Sequence, residues 1–404
     1  MSVELADSLD LNDNRVHFQA FVRDEETKKV VQSVVSDLML PAPRLQKGNI
    51  RDAIDFLSQN RSPRLLIVDI TGSDLPISEV NELAEVCEPG VTVIAIGDRN
   101  DVGLFRELTH AGVFDYIVKP ITNSLLQRSL VASADGALSS RQTGRLGKVH
   151  TFLGARGGVG NTTLIASCAQ YAAHTLKRRV ALVDLDLQYG ALSLALDVEP
   201  NSALRDAIDD PTRIDGLFVD RAMIKKSETL FVLSSEDKIY DSLDFRWDAV
   251  DALLSQLQSR FHYVFIDVPR HSTLLVDGLV DRTDDLTIVS DTSLVGLRDT
   301  MRLVEGIPKI ASSCNIRVAL NKMGEFKRGE ISLSEFETGI GSKVDFKIPF
   351  DPSTIAYAIN SGQSIFEVGR SKASASIEKM AETIVGNKNA SGKSLFANLP
   401  FWKR

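Results

Sequence analysis

The stretch Gly154-Ala155-Arg156-Gly157-Gly158-Val159-Gly160-Asn161-Thr162-Thr163 constrains this chain more than any other part of it. It lies between an apolar run, residues 148–153, and a segment whose apolar residues recur at helical spacing. Glycines let a backbone curl until successive N–H groups point inward, and a following helix N-terminus adds positive potential. Strand, loop and helix in that order predict an anion-binding turn of an α/β domain. Gly157, Gly158, Val159, Gly160, Asn161, Thr162 and Thr163 are the expected phosphate contacts, and the Thr162 hydroxyl is placed to meet a magnesium ion.

A glycine turn alone is weak evidence, since many only reverse the chain. Two further motifs stand beside this one. Residues 181–190 (ALVDLDLQYG) are an apolar strand running into Asp184 and Asp186, at the end where α/β sheets bind ligands. Residues 263–269 (YVFIDVP) are another, running into Asp267. Asp184 and Asp267 are expected behind the magnesium's own ligands. Helix capping would explain one of these aspartates more readily than three at strand ends beside a glycine loop.

These motifs resemble the deviant-Walker family of ParA and MinD, whose loop reads roughly KGGVGKTT and is followed by a D-x-D motif and a strand-terminal aspartate. The resemblance implies bound ATP or ADP with Mg2+, Asp186 positioning water if the site is active, and a homodimer. The sequence departs from the family at two lysines. Arg156 stands where the signature lysine reaches across a dimer, and Asn161 stands where the loop lysine grips the β- and γ-phosphates. An amide cannot neutralise charge developing on a transferring phosphoryl group, so hydrolysis is expected to be slow or absent. Asn321-Lys322-Met323-Gly324 lacks the carboxylate that would read guanine, and in the family the asparagine contacts adenine. Pro349-Phe350-Asp351 resembles the loop that closes over the base, and residues 290–298 resemble the segment that meets a partner subunit.

Upstream, residues 17–22, 65–69, 91–96 and 116–118 read as strands, alternating with helical patterns at 27–40, 50–59, 77–87 and 102–111. That alternation predicts a parallel sheet covered on both faces. The pattern resembles a response-regulator receiver of flavodoxin-like fold, with Asp69 at the acceptor position, Asp24 in the acidic pair and Lys119 before Pro120. Arg23 replaces the other acid, and Gly97 stands where the switch hydroxyl belongs. The first reading is therefore a binding module that is not phosphorylated; real phospho-signalling is the second.

With 404 residues the chain has room for two such domains. The expected layout is a flexible leader at 1–14, a receiver-like domain at 15–132 and a linker at 133–147. A ParA/MinD-like domain follows at 148–386, then a basic aromatic tail at 387–404. Both domains are α/β, with parallel sheets and helices on both faces. A net charge of -8 argues against a surface devoted to phosphate backbones, so nucleic acid is not an expected partner. Three scattered cysteines and an acidic, non-apolar start predict a cytoplasmic protein with reduced thiols.

A receiver-like domain followed by a ParA/MinD-like domain with an eroded loop resembles the CpaE/TadZ pilus-assembly proteins. That resemblance implies a dimerising localisation factor for Flp (tight adherence) pili, polar or peripheral at the inner membrane, which recruits components of the secretion machinery. An active ATPase for cell-pole, division-site or DNA positioning is the alternative. In the tail, Leu395, Phe396, Leu399, Phe401 and Trp402 with Lys393, Lys403 and Arg404 suit docking on a membrane surface or partner, or folding back on the domain. Pro400 excludes a long regular helix there.

Overall fold

A computed structural model describes residues 15–41, 43–138, 146–240, 246–270, 273–307, 314–326 and 328–386. The chain divides into two compact units, Met1–Leu146 and Gly147–Arg404. The leader and tail lie outside the described residues.

The first unit alternates strictly. Its strands are β1 (Phe18–Val22), β2 (Arg44–Lys47), β3 (Leu65–Asp69), β4 (Thr92–Gly97) and β5 (Asp115–Val118). Its helices are α1 (Glu25–Asp37), α2 (Ile50–Gln59), α3 (Pro76–Val86), α4 (Val102–His110) and α5 (Asn123–Leu138). The strands are parallel in the order β2-β1-β3-β4-β5, a doubly wound sheet of flavodoxin-like order. Leu66 and Val68 on one face and Ile67 on the other are fully buried, which is why β3 reads as a continuous apolar run.

Two features differ from expectation. β2 has the sequence RLQK and is half exposed at the sheet edge, so it carries no apolar signal. The expected linker at 133–147 is also shorter, because α5 runs to Leu138. Alanine and leucine sustain a helix once nucleated, and one internal glycine, Gly136, does not stop it.

The second unit has eight strands in the order β13-β12-β11-β6-β10-β7-β9-β8. They are β6 (Lys148–Gly154), β7 (Val180–Asp184), β8 (Ile224–Lys225), β9 (Leu230–Leu233), β10 (Tyr263–Val268), β11 (Asp285–Ser290), β12 (Asn315–Met323) and β13 (Phe346–Pro349). All pairs are parallel except β8 with β9. The edge strands β8 and β13 were not legible as strands, since each is short and borders only one neighbour. The helix after the glycine loop, α6 (Asn161–His174), is buried at every position from Leu164 to Ala173. It is largely apolar on every side because it lies between the sheet and the helix Lys372–Ile384, where the Tyr171 hydroxyl donates to Glu382 at 3.0 Å. Among the described residues, no helix is long and apolar enough to cross a membrane.

Candidate functional site

The loop between β6 and α6 emerges at the carboxyl end of a central strand, with β11 and β10 on either side. Gly158 and Gly160 have φ of +78° and +89°, values that favour glycine. A Cβ at Gly157 or Gly158 would meet nothing within 4 Å, so the outer side of the loop is open. A Cβ at Gly160 would stand 2.5 Å from the Asn321 amide nitrogen, so only glycine permits that approach.

That amide braces the loop from beneath. Asn321 Nδ2 donates to the Val159 carbonyl at 2.8 Å, and its Oδ1 accepts from the Lys322 N–H at 2.9 Å. Lys322 Nζ donates to the Gly158 carbonyl at 2.8 Å, from a backbone with φ of +57°. Asn321 is 3% exposed, and both ends of its amide are engaged. The Asn321 side chain is thus turned under the loop, with one N–H and its oxygen engaged by backbone groups. Pro349 does approach this end of the sheet, opposite Met323 in register, with the Phe350 N–H donating to the Met323 carbonyl at 2.9 Å. Lys322 carries no motif of its own in the sequence; its place next to Asn321 at a strand end is the signal that points to it.

Position 161 decides the electrostatics. Asn161 Nδ2 donates to Asp267 Oδ1 at 2.7 Å and to the Phe152 carbonyl at 3.3 Å. The Thr162 hydroxyl donates to the other oxygen of Asp267 at 2.7 Å. Asn161 Oδ1 is buried without a partner. Its side chain thus faces the sheet and the aspartate. Thr163 lies half-buried in the same first turn.

Asp184 sits beside Asp267 in the ladder between β7 and β10. Its oxygens accept from the N–H groups of Asp186 at 3.0 Å and Leu192 at 3.2 Å. Burial pushes the Asp184 carboxyl up to about 8, and the charge of Asp267 adds to the rise. Burial likewise lifts Asp267 to about 6, against hydrogen bonds from Thr162 and Asn161 that pull it down. Such a pair is poised for a cation that the side chain at 161 does not provide. Asp186 is half-buried, and its Oδ1 accepts from the Tyr189 N–H at 3.0 Å. A Cβ at Gly190 would lie 2.3 Å from the Asp186 carbonyl and 2.4 Å from Asp184 Oδ2, so this turn requires glycine.

Arg156 is held within its own unit. Its Nε donates to Asp291 Oδ2 at 2.8 Å, while Asp291 Oδ1 accepts from the Ser293 hydroxyl at 2.5 Å. Burial raises the Asp291 carboxyl, but the hydrogen bonds from Arg156 and Ser293 outweigh it and leave the pKa below the ordinary value. The sequence does not reveal Asp291 as the anchor of Arg156, because the two lie 135 positions apart.

The first unit carries its own carboxylate pair. Lys119 Nζ lies 2.6 Å from both Asp24 Oδ2 and Asp69 Oδ2. Asp69 is fully buried and also accepts from the backbone N–H groups of Arg23 at 3.1 Å and Thr71 at 3.0 Å. The Arg23 guanidinium donates to the Thr71 carbonyl. Burial opposes ionisation of Asp24, yet hydrogen bonds from Lys119 and Thr27 prevail and hold it at about 2. The three residues expected to converge here do so. At Gly97 a Cβ would stand 2.4 Å from the Tyr116 hydroxyl oxygen, so a serine or threonine would displace that ring.

Comparison with known proteins agrees with the second unit's topology. Residues 147–320 match the family model AAA_31, an AAA domain. The septum site-determining protein MinD of Bacillus subtilis is 23% identical over 247 residues, 60% of this chain and 90% of that protein. A ParA family ATPase from Chlorobium tepidum aligns with a TM-score of 0.54 at 24% identity, over 59% of this chain and 98% of that one. A pilus assembly protein CpaE from Caulobacter crescentus aligns over 29% of this chain and 98% of that chain, at 28% identity and a TM-score of 0.28. The second unit has a ParA/MinD-like P-loop ATPase fold.

Proposed function

We propose that this chain is a homodimerising, ATP-binding scaffold that localises Flp-type pilus assembly machinery and hydrolyses ATP slowly or not at all. The observation that carries this reading is the pairing of an intact, braced loop with an amide at position 161. The loop's open side and its two left-handed glycines fit a phosphate chain. The Thr162 hydroxyl and the Asp184–Asp267 pair behind it fit Mg2+, which when bound would neutralise phosphate charge. Gly157–Gly160 and Thr162–Thr163 hold and orient the phosphates, and Asp186 is the residue available to orient water. Asn161 contributes no charge, so stabilisation of the transferring group falls short.

The pilus role rests on the order of the two halves, a receiver-like unit ahead of an eroded ParA/MinD-like unit. On this reading the first unit is a binding module that takes up no phosphate, since Arg23 stands beside the carboxylates in place of an acid and Gly97 offers no switch hydroxyl. The protein works in the cytoplasm, at a pole or on the inner membrane surface, beside secretion-machinery components.

Calorimetry with ATP and magnesium, together with a turnover assay on wild type and Asn161→Lys, tests it. Binding without turnover, and turnover gained in the variant, is the expected result. Turnover by the wild type at the variant's rate would instead mean an active ATPase, and absence of binding would mean a fold kept for dimerisation alone.

A further inference from the structure

Helix α4 is thinly anchored: of its nine residues only Leu108 is buried. Val102 and Phe105 are 68% and 40% exposed, and Leu75, at the start of α3, is 66% exposed. Between α3 and α4 lies a cleft of about 370 Å³ with Leu75, Ile77 and Leu104 on its walls. Asp74, Asp101 and Glu107 ring it, against a single guanidinium, that of Arg99.

The cleft is held in shape by the turns that build it. Arg99 Nη2 donates to the Ser73 carbonyl at 2.8 Å and so ties the turn before α4 to the turn before α3. The Tyr116 hydroxyl donates to the Arg99 carbonyl at 2.9 Å, from a ring position that only a glycine at 97 leaves room for. Where a hydroxyl side chain would stand in a switching domain, this one has a fixed strut.

An apolar floor inside a ring of carboxylates selects its occupant by charge. We propose that this cleft docks a basic amphipathic segment of another protein, with apolar side chains against Leu75, Ile77 and Leu104 and lysines or arginines facing Asp74, Asp101 and Glu107. The proposal rests on the reading of the first unit as a binding module and supplies the chemistry of its partner.

The test uses the full chain and a fluorescein-labelled peptide of leucines and lysines in amphipathic helical spacing, followed by anisotropy. Its twin, with glutamate for every lysine, is the charge control. The basic peptide should bind and the acidic twin should not. Leu75→Ser, at an exposed position on the cleft wall, should weaken binding about tenfold. Glu107→Gln should weaken it about threefold, while Glu26→Gln, with the same net charge, should leave it unchanged. Equal binding of the twin, or indifference to Leu75→Ser, overturns the proposal. So does sedimentation showing that Leu75→Ser abolishes self-association while peptide binding persists, since the occupant would then be a second copy. Labelling of Asp69 by a small phosphodonor would instead remove the underlying module reading, whatever the peptide does.

Discussion

Each unit places two carboxylates at the carboxyl ends of neighbouring parallel strands, and the two pairs are neutralised in opposite ways. Asp24 and Asp69 share the ammonium of Lys119, at 2.6 Å from each. Asp184 and Asp267 have only amide, hydroxyl and backbone donors around them, because residue 161 is asparagine. The first pair is partly offset by a fixed ammonium of its own, whereas the second is offset by protons that burial retains and that an incoming cation could displace. That difference separates a closed site from a receptive one.

Asn161→Lys should break the contrast most. It would supply the second pair with an ammonium and raise ATP turnover by on the order of 100-fold, measured by phosphate release under saturating ATP and magnesium. No gain would mean that the loop lysine is not what this site lacks. Removing the cation from the first pair is the converse. Lys119→Met should cost the first unit about 3 kcal/mol, since it leaves the fully buried Asp69 unpaired, and chemical denaturation would read the loss. A change under half that size would mean water already reaches Asp69.

The two pairs should also answer pH with opposite signs. Asp184 and Asp267 are raised from 3.8 to about 8 and about 6, so the folded second unit keeps protons that the unfolded chain has released. Its stability should be highest below 3.8 as far as these groups decide it, and fall as pH rises through 6 towards 8. Asp24 is depressed from 3.8 to about 2, so its contribution is present above 3.8 and lost as pH falls towards 2. Hydrogen exchange of β7 and β10 against β1 and β3 across that range would separate the two trends. Parallel slopes in both units would show that the pairs do not differ in this way. The smallest effect belongs to Asp291→Asn, which frees Arg156 from an ion pair whose carboxylate is buried but whose guanidinium is 39% exposed. Its cost should stay below about 1 kcal/mol because water can hydrate the freed guanidinium.

The centre of each sheet was legible in the sequence, since β3, β7 and β10 are buried on both faces and run as unbroken apolar stretches. The edges were not. β2 is polar and half exposed, and β8 has two residues, so neither carries a period to read. At the site, residues adjacent in motifs could be named, because spacing along a strand end fixes where they emerge. What could not be read was how side chains are spent. Asn321 turns under the loop, and Arg156 finds Asp291 from the far side of the sequence. Such partnerships come from packing between β6, β11 and β12, and no local pattern records them.

The brace from Asn321 and Lys322 also bears on how the loop can drift in sequence. Because its curvature is secured by donors on β12, the backbone cradle does not depend on the residue at 161 to hold its form. A reactive side chain there can be exchanged for an inert one while the receptor surface survives. On the proposed reading, the same brace makes the change reversible in principle: holding a phosphate chain and turning it over are then separable, each open to selection without the other.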